Sequence, residues 1–330
     1  LDGVARMRER PIGDLLAALR QLGANVYSRN QQNDGCPPVV IEASGLHGGR
    51  ATVAGNISSQ FLSGLMMAAP LAEQDVVLEV LGELVSVPYV EMTRRVMKSF
   101  AASVTGPAIG PLNIDVGQRY RGCEYSVEPD ASAASYFWGA AAVTGGKAIV
   151  QGLNQNSLQG DVRFCEVLEQ MGCTVNYRTV SYRDNALEGY AIEVQGGDLQ
   201  GVDVNMADIS DTVQTLAAIA LFAKGTTVVR GVAHNRVKET DRISDLVREL
   251  RKLGAEVDEY DDGLAIHPPA RIQTAKLDTY GDHRMAMSLA LVGLRAEGIV
   301  ISDPECTKKT YPRYWDDLAS FAGCRIERLD

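Results

Sequence analysis

The stretch DTVQTLAAIALFAKGTTVVR, residues Asp211–Arg230, has a polar start, a run of small and apolar residues, a glycine turn and a β-branched segment. This order predicts a short helix, Leu216 to Lys224, and then a strand. Three other stretches have the same order, and such a repeat indicates that one supersecondary unit is reused. Their polar starts and predicted helices are Ser58-Ser59-Gln60 with Leu62 to Leu71, Ser132 to Ser135 with Ala134 to Val143, and Asp282-His283-Arg284 with Met285 to Ala296.

A second repeated element follows each of the first, namely a helix that ends at a glycine and leads into a strand. In the clearest copy, five apolar residues between Ile243 and Leu253 fall on one helical face. The glycine predicts a left-handed residue at the helix end, where the absence of a Cβ removes the steric penalty. The helix ends and strands are Leu22-Gly23-Ala24 with Asn25 to Tyr27, Phe100-Ala101-Ala102 (degenerate) with Ser103-Val104, Met171-Gly172-Cys173 with Thr174 to Tyr177, Leu253-Gly254-Ala255 with Glu256 to Tyr260, and Ala322-Gly323-Cys324 with Arg325-Ile326.

The complete unit therefore has the order βαβαββ, and the fold class is predicted to be α/β. Its second half occurs five times and its first half four times, so we expect the chain to begin inside a unit that lacks its first half. A length of 330 residues favours two domains. We place them at 1–128 and 129–330, and we predict loops at Gln31 to Pro38 and at the Gly/Pro-rich Thr105 to Arg121.

Composition excludes several classes of function. The net charge of −10 argues against nonspecific nucleic-acid and anionic-membrane binding, and the aromatic content of 6% argues against base-stacking surfaces. No apolar run approaches the ~20 residues that span a bilayer. The six cysteines and four histidines show no ligand spacing, so we expect no metal site and reduced thiols in a cytoplasmic location.

Two charged stretches favour an anion site. The run Arg236–Arg242 precedes an amphipathic helix, where Thr240 or Asp241 could be a simple N-cap. Cations at a helix N-terminus oppose its dipole, so Lys238 and Arg242 favour an anion between them and the free amides. Arg284 follows a candidate Asp282 cap with a planar donor fork suited to carboxylate or phosphate.

Other candidates have a structural reading beside the functional one. Asp211 is either a plain N-cap or a carboxylate placed to act as a general base. The Ser58-Ser59-Gln60 start is common in helices, but its place in the repeat favours binding. Ser86 at a helix entry is a candidate ligand. His283 is a proton carrier or a packed capping residue, while Arg6, Arg8 and Arg10, like Lys308-Lys309, are either surface charge or an anion clamp.

Together these stretches resemble the 5-enolpyruvylshikimate-3-phosphate (EPSP) synthase family over essentially the whole chain. The segments that carry the resemblance are Leu1 to Gly13, Gly55 to Gln60, Arg236 to Arg242, Asp282 to Met287 and Cys306 to Pro312. The resemblance implies a two-domain inside-out α/β barrel built from the repeats. It also implies a monomeric transferase that moves the enolpyruvyl group of phosphoenolpyruvate to the 5-hydroxyl of shikimate 3-phosphate without metal or cofactor.

The resemblance also implies roles for individual residues. Asp211 would be the base and Glu239 a proton-transfer partner. The shikimate 3-phosphate ligands would be Ser58, Ser59, Gln60, Ser86, Asp211, His234 and Lys238. The phosphoenolpyruvate ligands would be Arg6, Gln60, Arg242, Arg284 and Lys309.

The chain departs from the family pattern in two places. His234 stands where the family has asparagine, and the family's N-terminal part, which carries a Lys-Ser pair, a further Arg and a Gly-rich loop, is expected to be missing. Two alternatives follow. The first is a related enolpyruvyl transferase that acts on a UDP-sugar, which the motifs disfavour. The second is a catalytically incomplete anion-binding scaffold.

Overall fold

The computed structural model describes residues 1–56, 58–107, 109–181 and 188–329. Ile57, in one of the segments that carry the family resemblance, lies outside the described residues. The chain forms two compact units. Unit 1 comprises Leu1–Val127 with Val237–Glu239, and unit 2 comprises Glu128–Arg236 with Thr240–Asp330.

Over the part that the structure describes, unit 1 is built on two small sheets and the helices beside them. β1 and β2 form an antiparallel pair, whereas β3 and β4 are parallel and β5 joins β4 antiparallel. Its core centres on Leu62, Leu65, Met66 and Leu78. The elements are β1 (Asn25–Ser28), β2 (Val39–Glu42), β3 (Gly49–Ala54), β4 (Val76–Leu81), β5 (Leu112–Ile114), α1 (Gly13–Gln21), α2 (Ser59–Ala68) and α3 (Val87–Ser99).

In its described residues, unit 2 combines three sheets with helices that share one hydrophobic core. The strands are β6 (Lys147–Gln151), β7 (Thr174–Ser181), β8 (Glu188–Gln195), β9 (Asp203–Asn205), β10 (Thr227–Arg230), β11 (Glu256–Tyr260), β12 (Gly263–His267), β13 (Ala275–Leu277) and β14 (Ile299–Ile301). The helices are α4 (Ala131–Thr144), α5 (Phe164–Gln170), α6 (Val213–Ala220), α7 (Ser244–Lys252), α8 (His283–Ala290) and α9 (Tyr314–Ala322).

The repeat found in the sequence has a structural counterpart. In β3–α2–β4, β9–α6–β10 and β13–α8–β14, a helix connects two strands that pair in parallel. Chain segment β9 to β12 contains the full order βαβαββ, and its four strands form one sheet in the order β11-β12-β10-β9. The mixed sheets and helices confirm the α/β class. In each of these three crossover units, the predicted site residues lie at the start of the helix.

The core of unit 2 contains helices α4, α6 and α8, which are rich in small residues. Gly139 of α4 allows close packing, because a Cβ there would lie 2.8 Å from Leu291 Cδ1 and 3.0 Å from Thr215 Cγ2. A chain of buried hydroxyls links the three helices, with Ser135 Oγ 3.1 Å from Thr215 Oγ1 and the latter 3.2 Å from Ser288 Oγ. Polar groups in a core are stable only when paired, and this chain pairs them between helices.

The predicted glycine ends are confirmed in four copies. Gly23, Gly172, Gly254 and Gly323 all have positive φ, and in the degenerate copy Ala101 takes the same conformation at φ 63°. The predicted apolar face of α7 is confirmed as well, since the side chains from Ile243 to Leu253 that form it are fully buried. Here the local chemistry of the sequence and the packed structure agree.

Several predicted elements are wrong. Ser103-Val104 is not a strand, because the Gln118 side chain accepts from the Ser103 amide at 2.7 Å. Arg325-Ile326 is exposed and forms no strand. The predicted loop Thr105 to Arg121 contains β5, where Leu112 and Ile114 alternate with an exposed Asn113 and are buried. The predicted helices of the first, third and fourth repeats end sooner, at Ala68, Ala220 and Ala290, where tighter turns begin.

None of the helices in the described ranges combines the length and the apolar character that a membrane crossing requires.

Candidate active site

Asp211 lies in a single 3-10 turn, Ser210–Thr212, directly before helix α6. Two consecutive residues from a later part of the chain, His234 and Asn235, hold this turn through Ser210. His234 Nε2 lies 2.9 Å from Ser210 Oγ, and Asn235 donates its side-chain amide to the Ser210 carbonyl at 3.0 Å. Both are buried. The position of Asp211 therefore depends on His234 and Asn235, which directly precede the charged run Arg236–Arg242. The Nε2 atom of His234 is occupied by its contact with Ser210.

Two arginines far apart in the chain meet at Asp211. Arg242 Nη1 donates to Asp211 Oδ1 at 2.9 Å, and Arg284 Nη2 donates to Asp211 Oδ2 at 2.9 Å. Asp211 and Arg284 keep about a sixth of their side-chain surface exposed, at 17% and 15%. Each carboxylate oxygen thus accepts a charge-assisted hydrogen bond, the stronger kind. Solvent still reaches the group, so an anionic molecule could compete for the same guanidinium hydrogens.

Asp282 binds this cluster from a buried position. Its carboxylate is completely buried and accepts from Arg242 Nε at 2.6 Å and Arg242 Nη2 at 3.3 Å. The same side chain caps helix α8 by accepting from the Arg284 amide at 2.8 Å, as the sequence predicts. Burial opposes the charge on Arg242, but Asp282 and Asp211 outweigh it and raise the pKa of that guanidinium. Asp282 therefore holds the side chain of Arg242 and the backbone amide of Arg284.

The start of α7 differs from the sequence-based expectation. Asp241 Oδ1 accepts from the amides of Ile243 at 3.1 Å and Ser244 at 3.0 Å. These are the amides that were expected to be free for an anion, so that expectation is wrong. Thr240 instead hydrogen-bonds Asp245. The N-cap of α7 is Ile243 and carries no side-chain cap bond, so the prediction of Thr240 or Asp241 at that position is wrong. The cation Arg242 finds its anions in Asp282 and Asp211 rather than at the helix end.

A small cavity of about 20 Å³ lies beside this cluster, with Tyr136, His283, Arg284 and Tyr311 in its lining. Burial raises the pKa of Tyr136 to about 12, although Arg284 lowers it. The phenol is therefore neutral at ordinary pH. His283 is buried, with Nδ1 3.7 Å from Asp282 Oδ1. The cavity is about the size of one water molecule and leaves little space around Arg284.

The serine cluster predicted as a phosphate site lies in unit 1, at the start of α2. Ser58 caps the helix, accepting from the Gln60 amide at 3.2 Å. Ser59 is buried, whereas the Gln60 side chain is exposed. Ser86 occupies the N-cap of α3 with a left-handed φ of 56°, an uncommon conformation for serine that clusters at functional sites.

The remaining predicted residues are distributed over both units. Arg6 donates from Nε and Nη2 to the Lys238 carbonyl at 3.3 and 3.1 Å, so these two candidates lie together in unit 1. Glu239 follows in the same segment and is half-buried. Lys309 is exposed at the end of the 3-10 segment Pro304–Lys309 in unit 2.

Unit 1 also contains a wider cavity of about 490 Å³ that includes none of the predicted site residues. Its lining is almost entirely apolar, so it offers no charge to an anionic substrate. The lining residues are Met67, Met92, Thr93, Val96, Met97, Phe100 and Tyr120. Size alone therefore does not identify the site.

Sequence reasoning missed the most buried members of the cluster. Asp282 was expected only to cap a helix, although it also holds Arg242. Asn235 was not among the candidates, although its side-chain amide donates to the Ser210 carbonyl and its backbone carbonyl accepts from the Arg242 amide at 3.2 Å. An amide side chain directly before a charged run was the available signal.

The fold and the cluster define an α/β protein that presents guanidinium groups and a carboxylate at the starts of repeated helices. The family described as EPSP synthase (3-phosphoshikimate 1-carboxyvinyltransferase) matches residues 1–318. The chain belongs to the EPSP synthase family.

Relatives and solved structures agree with this assignment. The chain is 48% identical to the 3-phosphoshikimate 1-carboxyvinyltransferase of Shewanella sp. (strain W3-18-1), over 98% of this chain and 73% of the relative. It is also 48% identical to the chloroplastic enzyme of Brassica napus, over 97% of this chain and 62% of the relative. An EPSP synthase structure from Acinetobacter baumannii superposes with a TM-score of 0.77 at 26% identity, covering 99% of this chain and 74% of that one. These neighbours support the enolpyruvyl transferase fold.

Proposed function

We propose that this chain transfers the carboxyvinyl (enolpyruvyl) group of phosphoenolpyruvate to the 5-hydroxyl of shikimate 3-phosphate and releases phosphate. The reaction belongs to the shikimate pathway of aromatic amino acid biosynthesis. The observation that carries the proposal is the Asp211–Arg242–Arg284 cluster, in a chain whose relatives are named for this activity. Both substrates are anions, and guanidinium groups at helix starts suit them.

Asp211 is proposed as the base that takes the proton of the attacking hydroxyl. Its oxygens are held by Arg242 and Arg284, two of the proposed phosphoenolpyruvate ligands of unit 2. When the phosphoenolpyruvate anion binds, it competes for those guanidinium hydrogens. The carboxylate of Asp211 then becomes a better proton acceptor, so substrate binding itself prepares the base. Arg242 keeps its position because Asp282 holds the other side of its guanidinium.

Other roles rest on the family resemblance and on local geometry. Lys309 and Arg6 are proposed to add charge for phosphoenolpyruvate, and Glu239 to transfer the proton at its methylene carbon. Ser58, Ser59, Gln60, Ser86 and Lys238 are proposed ligands of shikimate 3-phosphate. His234 is proposed to act on that substrate through the Ser210 turn, because Nε2 contacts Ser210.

The alternatives are less well supported. The relatives at 48% identity are named for 3-phosphoshikimate, which favours that acceptor over a UDP-sugar, and their named activity favours an enzyme over a scaffold. We further propose the inside-out barrel arrangement of repeats, domains at 1–128 and 129–330, a monomeric state and a cytoplasmic location.

Asp211→Ala tests the catalytic proposal. We expect kcat to fall by roughly 10²–10⁴-fold, the usual contribution of a positioned base. Binding of shikimate 3-phosphate, measured by titration calorimetry on the complete gene product, should persist. Asp208→Ala is the matched control, because Asp208 lies in the same loop and makes an exposed ion pair with Arg163 at 3.1 Å. Turnover by Asp211→Ala that equals the control would remove Asp211 from the base role.

A further inference from the structure

Helix α8 is preceded by an unusual turn, Thr279–Asp282. The Asp282 amide donates to the Thr279 carbonyl at 2.8 Å, and both central residues have positive φ, 55° at Tyr280 and 69° at Gly281. This is the pattern of a type I′ turn, in which glycine and asparagine are favoured. Glycine adopts it freely at 281. Tyrosine at 280 is strained there, and such strain persists only where surrounding contacts enforce it.

The contact that enforces it is a buried carboxylate on helix α7. Tyr280 Oη donates to Glu249 Oε1 at 2.6 Å, while Glu249 Oε2 accepts from the Asp278 amide at 2.9 Å. Lys252 Nζ lies 2.8 Å from the same Oε2. Glu249 is 0% exposed. One carboxylate thus holds the chain on both sides of Thr279.

The tyrosine contributes mainly through its hydroxyl. Tyr280 is 39% exposed, so its ring adds little to the core. Burial and the Glu249 carboxylate raise the pKa of Tyr280 to about 12, which keeps the phenol a donor at ordinary pH. A side chain that packs loosely and donates one short hydrogen bond to a buried acceptor is suited to fixing a backbone position.

The turn controls where Asp282 lies. Asp282 directly follows the two left-handed residues, and its buried carboxylate binds Arg242 and caps Arg284. Those arginines in turn hold both oxygens of Asp211. A small rotation of the turn would therefore move Asp282, and with it the two arginines that hold the Asp211 carboxylate. We propose that Tyr280 and Glu249 are positioning residues for the Asp211–Arg242–Arg284 cluster, a role that rests on the proposed function of that cluster.

The test compares Tyr280→Phe with Tyr280→Gly in the complete gene product. Tyr280→Phe keeps the strained conformation but loses the hydrogen bond, so kcat should fall by about 10- to 100-fold, the effect of a displacement near 1 Å. Tyr280→Gly loses the bond and also the strain, so it should retain more activity than Tyr280→Phe. A purely packing role predicts the reverse order. Glu249→Gln should resemble Tyr280→Phe.

Tyr190→Phe is the control, because Tyr190 is 52% exposed on β8. It should leave kcat unchanged. The proposal is overturned if the kcat of Tyr280→Phe equals that of this control, or if Tyr280→Gly is less active than Tyr280→Phe. It is also overturned if, across the variants, the loss of kcat is fully explained by a lower melting temperature, that is, by a smaller folded fraction at the assay temperature.

A second readout separates this proposal from the proposed function. Hydrogen exchange of the amides at Asp282 and Arg284 should be faster in Tyr280→Phe than in wild type and Tyr190→Phe. An inactive wild-type protein would count against the proposed function alone, and unchanged exchange in Tyr280→Phe would overturn the positioning role.

Discussion

At the scale of single residues, the cluster joins groups that the sequence shows separately. Arg242 and Arg284 stand out beside helix starts, because a cation there opposes the helix dipole, whereas Asp211 at such a position is also explained as a plain N-cap. Their pairing could not be predicted. Arg242 reaches Asp282 across 40 positions of the chain, and Arg284 reaches Asp211 across 73. Only the packed core decides which carboxylate each guanidinium meets.

Asp282→Ala should strongly destabilise unit 2. It leaves the buried Arg242 with less compensation, and breaking a buried pair costs about 3–5 kcal/mol. It also removes the α8 cap. Asp130→Ala is the matched control, because Asp130 caps α4 from an exposed position, accepting from Ala133 N at 3.0 Å, and a lost cap costs about 1 kcal/mol. Denaturant unfolding measures both changes. Equal losses of free energy would show that the Arg242–Asp282 pair adds nothing to stability.

At the scale of elements, the sequence predicts where helices start and end better than it predicts strands whose own residues do not favour a strand. Gly254 ends α7 with φ 92°, because a glycine after an amphipathic helix leaves few alternatives. Strand β5 was missed because Pro111 and Gly110 suggest a loop, although Leu112 and Ile114 are buried beside β4. Its partner strand, not its own composition, makes it a strand.

Gly139→Ala tests how closely the helices of unit 2 pack. The new Cβ would lie 2.8 Å from Leu291 Cδ1, so we expect a loss of about 1–3 kcal/mol from overpacking. Gly64→Ala in α2 is the control, because nothing lies within 4 Å of its Cβ position. It should be neutral or stabilising by up to about 1 kcal/mol, from helix propensity. Thermal unfolding of both variants checks this. A Gly139 variant as stable as the Gly64 variant would refute close packing at this position.

At the scale of the whole molecule, an acidic protein can still contain a candidate site for anions, because ion pairs between arginines and carboxylates place guanidinium groups at one point of the fold. The net charge of −10 repels anions in general. Unit 2 counters this with guanidinium groups held by a small number of carboxylates, Asp211 and Asp282 among them. Composition predicts only the exclusion of nucleic acid and anionic membranes. The placement of two guanidinium groups in one site depends on a fold that brings Arg242 and Arg284 to the same carboxylate, Asp211.

The stability of unit 2 should fall in alkali because of Tyr136. Burial raises its pKa to about 12, whereas an unfolded tyrosine titrates near 10. The folded chain therefore binds the proton more tightly. The stabilisation is fully present below about pH 10 and is lost as the pH rises towards 12, a change on the order of 2–3 kcal/mol at 1.36 kcal/mol per unit. Urea unfolding at pH 9 and pH 11 measures it. Tyr136→Phe, which lacks the titrating group, should lose less stability over the same interval, and an identical loss in both proteins would assign the alkaline transition to other groups.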